Sequence, residues 1–162
     1  MSSSLPTPTS QHTQDELKLP TYIYKLIPHT SPPPLPPTPL PTALPISPLD
    51  QSSGFIHLST APQVLGTLVH FFTSDPRVYV LRIPFARVQT NIKWEDPKGE
   101  VCGDRPGEGR FPHLYNGLKL GNDEVDEVVV WEREEEEEEE KNGRKGWEEV
   151  VKKAEEDGWL VY

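Results

Sequence analysis

Strand-type patterning opens the ordered part of the chain. Y-I-Y-K-L-I at 22–27 is rich in aromatic and β-branched residues and is closed by Pro28. G-F-I-H-L-S at 54–59 alternates in the same way, and a helix signal over 61–72 follows it. Thr60 and Gln63 stand in capping-box relation, Pro62 is tolerated in a first turn, and Val64, Leu65, Leu68, Val69 and Phe72 fall on one face. V-Y-V-L-R-I at 78–83 is the next strand, broken by Pro84, and a turn through Ala86 leads to I-K-W-E at 92–95. Glycine, proline and charge fill 96–110, which reads as a mobile loop. F-P-H-L-Y-N-G at 111–117 returns to the core, and a hairpin through G-N-D at 121–123 is expected to lead into V-D-E-V-V-V-W-E at 125–132. Trp147, Val150, Val151 and Ala154 mark an amphipathic helix, and G-W-L-V-Y at 158–162 reads as a closing edge strand. The pattern predicts an α+β fold, a twisted, mainly antiparallel sheet with one or two packed helices.

At 162 residues the chain is long enough for one domain with a real core. Residues 1–20 are too poor in apolar groups to offset ordering entropy and read as a disordered tail, leaving 21–162 as a single globular domain. Ten prolines occupy 28–48. A straight polyproline rod of that length would run about 65 Å, against a radius of gyration near 14 Å for such a domain, so the segment must bend over the surface or loop out. P-P-L-P at 33–36 and P-P-T-P at 36–39 also suit the aromatic grooves of a partner that recognises proline motifs, although no Lys or Arg lies between Lys25 and Arg77 to meet an acidic rim.

The net charge of −10 is concentrated in an acidic insertion at 132–145: residues 132–140 alone account for −7, which leaves the remainder nearly neutral. Such a run usually forms a solvated surface, and contact with basic proteins ranks behind that. Duplex DNA is not an expected partner, because no basic stripe with interleaved aromatics occurs. One cysteine and no apolar run approaching the ~20 residues of a bilayer span make the chain read as soluble, intracellular and cytoplasmic.

Chemistry concentrates in two apolar stretches. In a strand, Phe55, His57 and Ser59 share one face and Ile56 and Leu58 the other; if the latter pair meets the helix 61–72, His57 and Ser59 look the opposite way. An imidazole there either satisfies a backbone carbonyl or handles a proton near neutral pH. His113, bracketed by Pro112 and Tyr115 in F-P-H-L-Y, is a second such group. With Tyr24, Lys25, Trp94, Glu95 and Tyr115, the histidines could line one aromatic-walled cleft for a small ligand. No zinc-ligand spacing, phosphate loop, dinucleotide fingerprint or nucleophile elbow occurs, and no metal is expected. His12, His29 and His70 read as surface residues, and Cys102, in the loop, lacks a fixed cationic neighbour that would activate it.

In their order and spacing, I-Y-K, G-F-I-H-L-S-T, a helix ending H-F-F, V-L-R-I-P, W-E and F-P-H-L-Y-N-G-L resemble the family catalogued as domain of unknown function 952, from about Tyr22 to Trp131. That family is distantly similar to the ADP-ribosyltransferase-like group, which includes RNA 2′-phosphotransferases and binds NAD in a cleft of a split β-sheet. The resemblance implies that Tyr24 or Lys25 stands at the first-strand motif, with Ser59 or Thr60 supplying the hydroxyl of the second. No E-x-E or Q-x-E accompanies F-P-H-L-Y to supply the third motif's glutamate; Glu95 precedes it. On this reading His57, His113 and Glu95 are the candidate catalytic groups, and Tyr24, Lys25, Ser59, Thr60, Trp94 and Tyr115 contact NAD or a related nucleotide, in a transferase or hydrolase. The alternative is a non-enzymatic adaptor presenting its proline segment.

Overall fold

The computed structural model describes residues 18–97, 102–103, 105–134 and 144–162. Outside them lie 1–17 of the expected tail, 98–101 and 104 of the expected loop, and 135–143 of the acidic insertion. In chain order the elements are β1 (Tyr22–Pro28), α1 (Pro48–Ser53), β2 (Ile56–His57), α2 (Val64–Phe71), β3 (Arg77–Pro84), α3 (Phe85–Val88), β4 (Ile92–Glu95), β5 (Cys102–Gly103), β6 (Phe111–Leu114), β7 (Glu127–Glu132) and α4 (Arg144–Glu156). The class is α+β, as the pattern predicts.

All strand pairs are antiparallel, and they form two sheets, β1-β3-β7 and β2-β6-β4-β5. Strand β3 is buried on both faces because it is central: Val78 and Val80 pack with Tyr24, Leu26 and the helices, whereas Leu81 and Ile83 pack with Ile23 and the second sheet. The helical layer consists of α2, through Val64 and Leu68, and α4, through Trp147, Val151 and Ala154. The Trp147 indole N–H donates to the Phe72 carbonyl at 3.1 Å. Between the sheets, Ile56, Leu58, Ile92, Trp94 and Leu114 complete the other core.

Edge strand β1 meets the chain just beyond edge strand β2 at one bridge, where Tyr24 N donates to Ser59 O at 2.8 Å and Ser59 N to Tyr24 O at 2.9 Å. Among the described residues no further bridge joins them, and Lys25–Pro28 and Phe55–Ser59 both line a cavity.

Three expectations are corrected. Ile56 and Leu58 face the second sheet's core, not α2; Ser59 is the residue that meets the helix, its Oγ 3.0 Å from Thr67 Oγ1. The hairpin through 121–123 does not form: β6 pairs with β2 and β4, while β7 pairs with β3 in the other sheet. Residues 158–162 are not a strand, because Gly158, at φ 73°, ends α4 and turns the chain back. Trp159 N and Leu160 N then donate to Ala154 O, and Val161 N to the Tyr24 hydroxyl, so no ladder is needed to satisfy them.

The proline segment lies against the body. Pro33 and Leu44 are buried, Leu44 N donates to Leu120 O at 2.7 Å, and Asn122 N donates to Pro41 O at 3.0 Å. Gly121 makes this approach possible: a Cβ there would stand 2.2 Å from the Thr42 carbonyl oxygen.

Candidate functional site

In the β2–β6–β4 ladder, Ile56, Leu114 and Ile92 point into the core. Their neighbours His57, His113 and Lys93, paired across the same strands, therefore stand on the opposite face, with Glu95 two residues along β4. His57 and His113 are direct cross-strand partners, with ring centroids 5.1 Å apart. Phe55 stacks on His113 at 4.3 Å and lies 4.6 Å from His57 and 5.0 Å from Tyr115.

Each imidazole is held by a carboxylate. His57 Nδ1 is 2.7 Å from Asp50 Oδ1, and His113 Nδ1 is 3.0 Å from Glu95 Oε1, which also accepts from the Tyr115 hydroxyl at 2.6 Å. Both Nδ1 atoms are thus engaged, and each Nε2 has no hydrogen-bond partner among the described residues. His57 keeps 34% of its side chain exposed and His113 only 6%. Burial, followed by the proximity of His57, holds the His113 imidazole below its usual range against the opposing bond to Glu95. Burial works against ionisation of Asp50 and Glu95 too, but their hydrogen bonds prevail. His57 and Lys25 lower Asp50, while Tyr115 and His113 lower Glu95.

Asp50 is the site residue that the sequence reading overlooked. S-P-L-D at 47–50 carries the signal for a helix start, a hydroxyl cap followed by proline and, three residues on, an acid. Ser47 Oγ accepts from Asp50 N at 3.2 Å, and Gly54 closes the helix at φ 81°. Short as it is, α1 places the Asp50 carboxylate, 3% exposed, under His57, whose backbone N–H it also receives at 3.2 Å. On its other side Lys25 Nζ donates to Asp50 Oδ2 at 2.7 Å and to His57 O at 3.1 Å.

A cavity of about 1150 Å³ opens onto these groups, lined on its polar side by Lys25, Asp50, His57, Ser59, Glu95 and His113. Ile27, Ile46, Phe71 and Phe72 give it apolar walls, and the proline segment closes one flank. The expected cleft group is therefore gathered in part. Tyr115 adjoins it through Glu95 and Phe55. Tyr24 and Trp94 are elsewhere: Tyr24 is fully buried and bonds the C-terminal turn, and Trp94 packs near Phe85 in the inter-sheet core. Thr60 is buried where the chain enters the turn before α2, its backbone N–H donating to Gln63 Oε1 at 3.0 Å. His29 pairs with Asp75, and His70 is exposed. Among the described residues no cluster of three or more His, Cys, Asp or Glu is set to hold a metal, and no helix is long and apolar enough to cross a membrane.

The family model described as a protein of unknown function, DUF952, matches residues 41–128, more than half of the chain, from the anchored end of the proline segment into β7. The chain belongs to the DUF952 family. Within this DUF952 domain the matched stretch holds Asp50, His57, Glu95 and His113, whereas Lys25 lies before it. The crystal structure of protein CC0527 from Caulobacter crescentus is similar, at 24% identity and a TM-score of 0.52 over 70% of this chain and 89% of that one. Its solution NMR structure gives a TM-score of 0.50 over 70% and 87%. At that identity the likeness is one of fold. Curated proteins offer no match.

Proposed function

We propose that the cleft binds a nucleotide-type or other phosphorylated small ligand, NAD among the candidates, and that His57 and His113 move protons on it in a transfer or hydrolysis. The observation that carries this reading is the pair of carboxylate-backed imidazoles standing abreast, both Nδ1 atoms occupied, beside one large cavity. A carboxylate on Nδ1–H fixes the tautomer, orients the ring and stabilises the imidazolium that forms when Nε2 takes a proton. Two rings this close resist being charged together. A pair of one imidazolium and one neutral imidazole therefore supplies an acid and a base at once, as a displacement needs when one group loses a proton and the leaving group gains one. Ser59 supplies an orienting hydroxyl, the apolar walls suit a flat base, and Glu95, bonded to both His113 and Tyr115, is the carboxylate available to a developing positive charge. NAD as a candidate comes from the resemblance to ADP-ribosyltransferase-like proteins.

The test is saturation binding of NAD, ADP-ribose and 2′-phosphorylated RNA, followed by thermal shift and by the histidine ring resonances, with His57→Ala and His113→Ala alongside. Saturable binding to the unaltered protein, weakened at least about tenfold by either substitution, is expected; about 1.4 kcal/mol, the order of one hydrogen bond to a charged group, produces that factor. Equal binding by protein and variants, or none by any, removes the reading. An adaptor role would rest on residues 35–39, the exposed crest of the proline segment, and deleting them would then abolish partner capture while leaving ligand binding intact.

A further inference from the structure

We propose that Lys25 is a positioning residue for the acid–base pair, fixing Asp50 and setting the proton affinity of the Asp50–His57 half; this rests on the proton-transfer role just given to the histidines. Lys25 comes from β1, in the sheet that does not carry the histidines, and reaches across to the other sheet. Its ammonium grips both ends of the half-site, Asp50 Oδ2 at 2.7 Å and the His57 carbonyl at 3.1 Å. With 14% of the Lys25 side chain and 3% of that of Asp50 exposed, the pair is largely shielded from water. Once Oδ2 is taken by Lys25, Oδ1 is left to His57 Nδ1 and N, and Nε2 is the ring nitrogen left over.

The companion half-site is built otherwise. The second donor to Glu95 is the neutral Tyr115 hydroxyl. Behind His57 the Lys25 ammonium is bonded directly to the Asp50 carboxylate, whereas the cation near Glu95 is Lys93, which lies over the Tyr115 ring, 4.4 Å from its centroid, and acts on Glu95 through space. Other groups facing His57 are His113 on β6 and, through it, Glu95 and Lys93 on β4, with Phe55 packed against the ring. A cation behind the carboxylate weakens the pull of that carboxylate on an imidazolium proton, so replacing Lys25 by a neutral side chain should strengthen that pull. It acts through Asp50 and needs no contact with ligand.

The experiment is a pH titration of the full chain with isotope-labelled histidine, read from the ring nitrogens and carbons. Lys25→Met should raise the midpoint of the Asp50–His57 pair by about one pH unit, since a cation near the imidazolium disfavours its charged form, and Lys25→Arg should leave it near its original place. The Nδ1–H tautomer of His57 should persist in Lys25→Met, since Asp50 Oδ1 stays on Nδ1 and its pull strengthens. An unmoved midpoint in a folded Lys25→Met protein overturns the proposal and reduces Lys25 to a structural residue. Should that variant fail to fold, Lys25→Gln, which keeps a donor without the charge, gives the same reading. Should both fail, the Asp50 carboxyl carbon of the unaltered protein decides, since titration at or above the ordinary aspartate range would show that the lysine exerts no hold. Failure of the ligand reading shows separately, as absence of binding with the titration shift intact.

Discussion

Asp50→Ala removes three hydrogen bonds at once, those to His57 Nδ1, His57 N and Lys25 Nζ, and leaves an ammonium whose side chain is only 14% exposed without its carboxylate. Breaking a buried pair from one side costs about 3–5 kcal/mol, because the surviving charge keeps its desolvation penalty and loses its compensation. Lys25 lines the cavity and retains the His57 carbonyl as an acceptor, which places the loss at the lower end, about 3 kcal/mol. With a urea m-value of about 2 kcal/mol/M, the midpoint of unfolding should fall by about 1.5 M. Lys25→Met should cost less, since the remaining carboxylate can draw a proton onto His57. Combining the two substitutions removes both charges and should recover part of the loss. Urea unfolding of the three variants at neutral pH, followed by fluorescence and circular dichroism, measures all of this. A loss below about 1 kcal/mol for Asp50→Ala, or a double variant as unstable as the sum of the singles, would refute the view that the buried ion pair governs this corner of the molecule.

Gly121→Ala should destabilise by about 2 kcal/mol or more and release the proline segment, because the new methyl overlaps backbone that cannot swing aside; limited proteolysis within 28–48 reports it. Tyr24→Phe deletes the hydroxyl that accepts from Val161 N at 2.8 Å and lies 3.2 and 3.1 Å from the carbonyls of Trp159 and Val161, so about 1–2 kcal/mol should be lost and amide exchange at 159–162 should quicken. Asp50 and Glu95 are both held below the ordinary carboxylate range, so the stability they contribute is present above about pH 4 and is lost as pH falls through their folded values. His113 is also lowered, with a different consequence: the unfolded chain takes up its proton first, and stability starts to decline as pH drops below about 6.5. Thermal melts from pH 8 to 3 should show this earlier decline, and His113→Gln should flatten it.

Local chemistry made much of the fold legible. The capping relation of Thr60 and Gln63 announces the turn into α2, and the apolar spacing from Val64 to Phe72 shows its buried face. Strand order is a different matter: nothing local shows that β6 pairs with β2 and β4 while β7 crosses to β3, and turn residues at 121–123 imitate a hairpin. The site was legible to the same extent. Two histidines in apolar strands stand out along the chain, but their direct pairing depends on a register between segments more than fifty residues apart. Tyr24 and Trp94 look like cleft walls by composition, yet tertiary burial claims both rings for packing. Asp50 lay hidden behind the prolines, in a helix too short for any periodicity to reveal, and only its cap gives it away.

The seam where β1 meets the chain just beyond β2, at Tyr24 and Ser59, joins the two sheets beside the cleft. Both imidazoles and both of their carboxylates belong to the second sheet or its approach, and among the described residues Lys25 reaches them from the first. The spacing of the two rings is therefore fixed inside one sheet, while the cation behind Asp50 is delivered by the other, and the fit of the two sheets decides whether they meet.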